Sequence, residues 1–313
     1  MKRSLLATAL ACLVGFPALA GQAPAGGRGA ANATAAIDWN LIMFPTNRSA
    51  PMDRQRKDPV KLFDNVYSVG VQTVCAFLIP TNAGLVLVDT TYPETADLLL
   101  ENIRTAGFDP ANIRYVFSTH AATDHFGAAG RIKQVAPGAR IAMPLADWEE
   151  AEQLMSRLPP GSPLVPISRD LVISDGQTIT LGETTFKLYV LPGRTPGSLA
   201  IEYQARDGAR TYRALHNGAY GTPQPRWGEA YLKSITRLKT LGPFQVWLPN
   251  HPWMALPRDL QDIEKAMATR GQGAHPAVVA DRKLIDDQLD FIHALISRKV
   301  AIERYQRIRV DAN

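Results

Sequence analysis

Short apolar stretches separated by turn residues occupy the first third of the chain. They lie at 66–69, 74–79 and 85–88, and a turn at 81–84 separates the last two. Apolar stretches of this length that are bounded by Asn and Gly predict β-strands. The stretch at 85–88 contains no polar residue, which is typical of a strand that is buried on both faces of a sheet.

A helical pattern follows these strands. Pro93 suits the first turn of a helix, because its missing N–H is not needed there. Leu99 and Ile103 recur on one face, and Gly107 ends the pattern. Another strand is predicted at 114–118. This order of strand, helix and strand predicts an α/β protein with layered sheets.

The second half of the chain continues the alternation. Its apolar stretches predict strands around 178–181, 185–191, 198–203, 213–215 and 245–248. The pattern ends in a predicted amphipathic helix at 281–308. Its apolar residues recur at helical spacing, as Ile285, Leu289, Ile292 and Ile296.

The first 20 residues have the layout of a cleaved secretory signal. Two basic residues precede an apolar run, and Ala20 supplies the small residue at the cleavage site. Cys12 could mark a lipoprotein signal instead, but the residues before it match that signal poorly, so Cys12 is interpreted as the interior of the signal. Residues 21–37 are rich in Gly and Ala and predict a flexible leader. One folded domain is expected over 38–313.

Composition and charge narrow the classes of function. The chain has 313 residues, of which 46% are hydrophobic, so it can bury a sizeable core. Without the signal, 32 Lys and Arg face 29 Asp and Glu, a balance too even to predict a nucleic-acid partner. Cys75 is then the only cysteine, which excludes a disulfide within the chain. We expect a periplasmic or secreted protein without a membrane anchor.

The segment 118–127 carries the most specific pattern. It reads Ser-Thr-His-Ala-Ala-Thr-Asp-His-Phe-Gly, which resembles the His-x-His-x-Asp-His signature of the metallo-β-lactamase superfamily with Ala122 at the middle histidine. Segments at 87–90, 191–198 and 248–252 resemble further segments of that family, in the family's order. The resemblance implies a four-layer αββα sandwich.

The predicted export signal and the Asp38-Trp39-Asn40 start make the chain most similar to the third subclass of class B β-lactamases. Their metal ligands are histidine and aspartate, without cysteine. The first metal position of that family corresponds here to His120, Ala122 and Arg194. Alanine has no donor atom and arginine is too basic to bind a metal.

Arg194 has two interpretations: drift after the loss of a metal, or a fixed positive charge that holds a substrate carboxylate or an oxyanion. His120 has three: it could bind the remaining metal, hydrogen-bond to a water, or serve the structure alone. His216 lies close to where the superfamily often supplies another site residue, although a structural role is favoured.

The second metal position of the family is complete. It corresponds to Asp124, His125 and His251, which with a water make a four-coordinate zinc site. The resemblance implies one tightly bound Zn²⁺, with Asp89 as a carboxylate that orients a ligand.

The implied activity is that of an exported zinc-dependent hydrolase on a small-molecule substrate. Water would attack a β-lactam amide, and Asp124 or His120 would position and deprotonate that water. Two alternatives remain open. One is hydrolysis of another ester, lactone or phosphoester. The other is a degenerate family member that binds a small molecule without turning it over.

Overall fold

The computed structural model describes residues 50–219, 227–271 and 273–311. The predicted signal at 1–20, the leader at 21–37 and the Asp38-Trp39-Asn40 segment lie outside the described residues. The strands are β1 Val60–Phe63, β2 Val66–Ser68, β3 Phe77–Thr81, β4 Gly84–Val88, β5 Ile113–Phe117, β6 Arg140–Pro144, β7 Leu171–Ile173, β8 Thr178–Leu181, β9 Thr184–Val190, β10 Leu199–Asp207, β11 Arg210–Asn217 and β12 Val246–Pro249. The α-helices are α1 Ala96–Thr105, α2 Thr123–Phe126, α3 Ala129–Val135, α4 Leu145–Met155, α5 Gly228–Leu241, α6 Leu260–Ala268 and α7 Arg282–Asp311.

The strands form two sheets. Seven strands lie side by side in chain order, from β1 to β7, and the other five lie in the order β12-β11-β10-β9-β8. Strands β1 to β4 are antiparallel, whereas β4 to β7 are parallel and need helical crossovers. One apolar layer lies between the sheets, and one lies under the helices on each outer side. This is the predicted αββα sandwich, and the α/β prediction is confirmed.

Strand β4 shows why its sequence is continuously apolar. Val86 and Val88 are completely buried in the layer between the sheets. Leu85 and Leu87 point to the other face and pack in the layer under α1, with Leu99. Because successive side chains of a strand point to opposite faces, a strand between two apolar layers has no polar position.

Two element boundaries differ from the sequence prediction. Strand β3 begins at Phe77 and not at residue 74, because the Cys75 N–H donates to the carbonyl of Asn250 and not to a neighbouring strand. Pro93 begins a single 3-10 turn, and the α-helix proper starts at Ala96.

The long C-terminal helix is confirmed. Ile285, Leu289, Ile292 and Ile296 are all buried, and they share one apolar layer with residues of α5. No helix in the described part of the chain is long and apolar enough to cross a membrane.

Leu99 gives a test of the helix-covered layer. Leu99→Ala removes a fully buried side chain from α1 and should lower the free energy of unfolding by about 2–5 kcal/mol. Leu145→Ala, at a leucine that is 44% exposed, should change it by less than about 0.5 kcal/mol. Urea unfolding followed by circular dichroism measures both. Equal losses in the two variants would contradict the assigned layer.

Candidate metal centre

The segments that carry the family resemblance meet at one edge of the sandwich. Asp89 directly follows β4, and the segment 118–120 directly follows its parallel neighbour β5. Parallel strands that lie side by side end at the same edge of a sheet, so these residues come together. Helix α2 carries Asp124 and His125, and His251 follows β12 of the other sheet.

Asp89 is the buried anchor of this edge. One carboxylate oxygen accepts the Thr119 backbone N–H at 2.7 Å. The other lies 2.9 Å from the Thr119 hydroxyl, which donates to it, and 2.9 Å from Nδ1 of His125. Asp89 has a φ of 60°, in the left-handed region that Asp and Asn tolerate better than most residues.

His125 is completely buried and is oriented by Asp89. A carboxylate accepts hydrogen bonds, so Nδ1 of His125 is protonated and its N–H donates a hydrogen bond to Asp89. Nε2 lies 3.2 Å from Oδ2 of Asp124 but makes no hydrogen bond. A buried ring nitrogen without a hydrogen-bond partner is costly, and a cation at this point would satisfy it.

His251 presents its ring in the same way. Nδ1 lies 2.8 Å from the carbonyl oxygen of Thr73, which can only accept, so Nδ1 is the protonated nitrogen. Nε2 is therefore available, and it lies 3.6 Å from Oδ2 of Asp124. The ring also stacks on Trp253 at 4.8 Å between centroids. Burial, followed by the charge of His125, lowers the pKa of His251 to about 4, which keeps its ring neutral.

The three side chains fit a metal ion. One ligand atom from each of Asp124, His125 and His251 lies within 4.8 Å of the other two. Two imidazoles and one carboxylate are a donor set that zinc accepts. Burial alone would lower the pKa of His125, but Asp124 and Asp89 outweigh it and raise that pKa to about 10. Positive charge is thus favoured between these groups, and a bound cation would replace the proton.

His120 lies beside this cluster but outside it. Its ring centroid is 4.2 Å from that of His125, and its Nδ1 lies 3.2 Å from the Thr119 hydroxyl oxygen. The Thr119 hydroxyl donates its hydrogen bond to Asp89. Its oxygen therefore accepts a hydrogen bond from Nδ1–H of His120. In a neutral imidazole, Nε2 is then the unprotonated nitrogen. Burial, then the charge of His125, places the pKa of His120 well below its usual value. His120 as an additional metal ligand stays a prediction.

At the first metal position of the family, alanine and arginine replace two of the three histidines. Ala122 precedes α2, and Arg194 is half-buried. Arg194 contributes to the lowered pKa of His120, so its charge acts at this position. His216 lies at the end of β11 against Phe77, with Nε2 3.9 Å from Asp89, too far for a hydrogen bond. It is not part of the ligand cluster.

Asp147 is a site residue that the sequence analysis missed. Its buried carboxylate accepts the backbone N–H groups of Ala121 and Gly197 and the hydroxyl of Thr195. Asp147 therefore connects the loop that contains His120 and Ala121 to the loop that contains Arg194. The only signal in the sequence is an acidic residue just after the apolar strand β6, which is also common on surface helices.

Comparison with known proteins agrees with this geometry. The sequence model of the metallo-beta-lactamase superfamily matches residues 69–211. BJP-1, a subclass B3 metallo-beta-lactamase of Bradyrhizobium japonicum, is similar in structure with a TM-score of 0.67 and 23% identity, over 81% of this chain and 97% of its own. The FEZ-1 metallo-beta-lactamase from Legionella gormanii has a TM-score of 0.71 and 20% identity, over 82% of this chain and 99% of its own.

A relative that is similar in sequence covers a smaller part of the chain. The flavo-diiron protein FprA2 of Clostridium acetobutylicum is 32% identical over 98 residues, which are 26% of this chain and 24% of that protein. The match thus spans about a quarter of the length of that relative.

These findings define the class. The chain has the metallo-β-lactamase fold, and the resemblance to the metallo-β-lactamase superfamily is confirmed. In structure, it is similar to subclass B3 metallo-beta-lactamases. The fold and the candidate metal site support a metal-dependent hydrolase.

Asp89 gives a test of the orientation of His125. Asp89→Asn keeps the left-handed backbone favourable but removes the charged acceptor from Nδ1 of His125. We expect zinc affinity to fall by about ten- to a hundredfold, measured by competition with a chelator of known affinity. Asp97→Asn, at an exposed aspartate of α1, should leave the affinity unchanged. An unchanged affinity in Asp89→Asn would contradict the role of this carboxylate.

Proposed function

We propose that this protein is an exported, single-zinc hydrolase that opens the amide of a β-lactam. The observation that carries the proposal is the convergence of Asp124, His125 and His251, with one ligand atom from each within 4.8 Å of the others. Export is supported by the signal-like pattern of residues 1–20. The β-lactam substrate is supported by the structural similarity to subclass B3 metallo-beta-lactamases. Because a fold alone does not fix a substrate, the choice of substrate has to be tested by assay.

Each residue near the cluster has a separate task in this proposal. A Zn²⁺ held by the cluster would polarise the carbonyl and lower the pKa of a water. Asp124 has a partly exposed carboxylate, and it positions the water. His120 is neutral with Nε2 unprotonated, so it can accept the proton of that water.

Arg194 contributes to substrate binding. None of the described residues forms a hydrogen bond or an ion pair with its guanidinium, which offers five N–H donors to an anion. Penicillins and carbapenems carry a carboxylate beside the lactam ring, and arginine binds carboxylates through two parallel hydrogen bonds. The positive charge of Arg194 also takes the place of the charge that a metal ion at the first position would supply.

A second candidate is a member of the fold that binds a small anionic molecule without hydrolysing it. Ala122 and Arg194 favour it, because the first metal position has lost two of its three histidines. Esters, lactones and phosphoesters would also suit the same cluster, so an assay panel has to include them.

Metal analysis joined to an activity assay tests the proposal. The purified mature protein should bind about one Zn²⁺ per chain with high affinity and hydrolyse a penicillin or a carbapenem. Asp124→Ala and His251→Ala should lose tight binding and activity, whereas His293→Ala, on α7, should keep both. If one zinc binds and the protein hydrolyses an ester or a lactone but no lactam, the proposed substrate class is wrong and the ester or lactone takes its place. One bound zinc without any turnover would favour the binding-only candidate.

Arg194 is tested by its charge. Arg194→Gln should raise the KM for a lactam carboxylate by about tenfold or more and leave the zinc stoichiometry unchanged, because a charge-assisted pair of hydrogen bonds is lost. Steady-state kinetics with the matching methyl ester, which lacks the carboxylate charge, supplies the control. An equal effect on the acid and on the ester would show that Arg194 does not bind the carboxylate.

Restoring the first position gives a complementary test. Ala122→His combined with Arg194→His completes a three-histidine set with His120 and should add a second zinc per chain. Titration measures this gain independently of activity. A double variant that binds two zinc ions but shows no lactam hydrolysis would favour a different substrate.

A further inference from the structure

Helix α7 has a second apolar face that the fold does not use. Its inner face packs against the five-stranded sheet and α5. On the outer side, Leu284, Phe291, Tyr305 and Ile308 are 39%, 48%, 60% and 65% exposed. Four of the seven large hydrophobic residues that are exposed in the described structure therefore lie on this one helix.

The last turns of α7 extend beyond the support of the domain. Residues 304–308 are exposed at every position, so no side of the helix there is covered. A few helical turns are marginal in water without packing. The ion pair between Arg304 and Glu229 of α5 tethers this end but contributes little, because both groups are exposed. A packing partner would stabilise this part of the helix.

The exposed positions repeat with the spacing of a coiled-coil seam. They follow each other alternately three and four residues apart, and all of them are exposed: Leu284, Asp287, Phe291, Ala294, Arg298, Ala301, Tyr305 and Ile308. Such a repeat keeps one stripe of a helix facing a second helix. The stripe extends over 24 residue steps, or about 36 Å.

The stripe is complementary to an antiparallel copy of itself. When two copies are aligned antiparallel about residue 296, Leu284 faces Ile308 and Phe291 faces Ala301, in both directions. Two of the four facing pairs are thus apolar, and the large side chain of Phe291 meets the small Ala301, which is how facing helices interlock. The other two pairs place Asp287 against Tyr305 and Ala294 against Arg298. A parallel alignment would place Phe291 against Phe291 and Arg298 against Arg298.

Charges beside the stripe agree with the same register. Asp290 and Arg304 flank the stripe on one side, and in the antiparallel alignment Asp290 of each copy lies near Arg304 of the other. Within the chain these two groups pair with Lys239 and Glu229, so pairing across the interface would extend two existing ion pairs into one network. Flanking groups of opposite charge set partner choice and orientation in helix pairing.

We propose that this protein forms a homodimer through antiparallel pairing of α7 with a second copy of the chain. The interface is isologous, with its two-fold axis at the level of residue 296, between Ala294 and Arg298 on the exposed face. The proposal is independent of the substrate, because the stripe contains no residue of the metal centre.

Charge substitutions at facing positions test the register. The full-length mature protein should sediment as a dimer at micromolar concentration. Phe291→Glu alone and Ala301→Lys alone should each weaken dimerisation by about tenfold or more. The variant that carries both substitutions should recover it, because the new carboxylate of each copy faces the new ammonium group of the other. Leu145→Glu, at an exposed leucine of α4, should not change the mass.

Three outcomes would overturn the proposal. A monomeric wild-type protein at all accessible concentrations excludes the dimer. If the Phe291→Glu variant is still a dimer, the dimer interface lies elsewhere on the surface. A monomer that binds anionic phospholipid vesicles, and loses that binding with Phe291→Glu, would show that the stripe contacts a membrane surface instead. Circular dichroism checks that every variant keeps its helix content.

Discussion

The carboxylate of Asp89 accepts hydrogen bonds from the Thr119 backbone, the Thr119 hydroxyl and the His125 ring. It fixes the proton on Nδ1 of His125 directly, and it fixes the proton on Nδ1 of His120 through Thr119. In both rings, Nε2 is therefore the nitrogen that remains for a metal or a water. A buried charge is stable only when such donors surround it. The centre is pre-arranged because this requirement is met where β4 and β5 end.

His251 follows the five-stranded sheet and is oriented by a group of the seven-stranded sheet, in the connection between β2 and β3. The carbonyl of Thr73 takes the place of a carboxylate, and the ring stacks on Trp253. The centre thus joins both sheets of the sandwich, since His251 follows β12 while Asp124 and His125 follow β5. Packing between the sheets decides whether the three ligand atoms meet, so the core and the site depend on each other.

Much of this could be predicted from the sequence because the governing signals are local. The continuous apolar run of β4 reflects its two buried faces, and the adjacent Asp124 and His125 lie in one short motif. Longer-range relations left no such signal. Asp147 joins two loops far apart in sequence, and the Thr73 carbonyl is backbone, which carries no residue preference. Strand β3 began later than predicted because the Cys75 N–H is used by a distant carbonyl.

The central claim is that Asp124, His125 and His251 bind one metal through a carboxylate oxygen and two Nε2 atoms. A crystal of the zinc-loaded protein, with anomalous diffraction collected above and below the zinc edge, tests it most directly. We expect one strong peak at coordination distance from all three side chains, with Nδ1 of His125 still bonded to Asp89. A peak bound instead by His120 and His216, or two peaks of equal strength, would contradict the account.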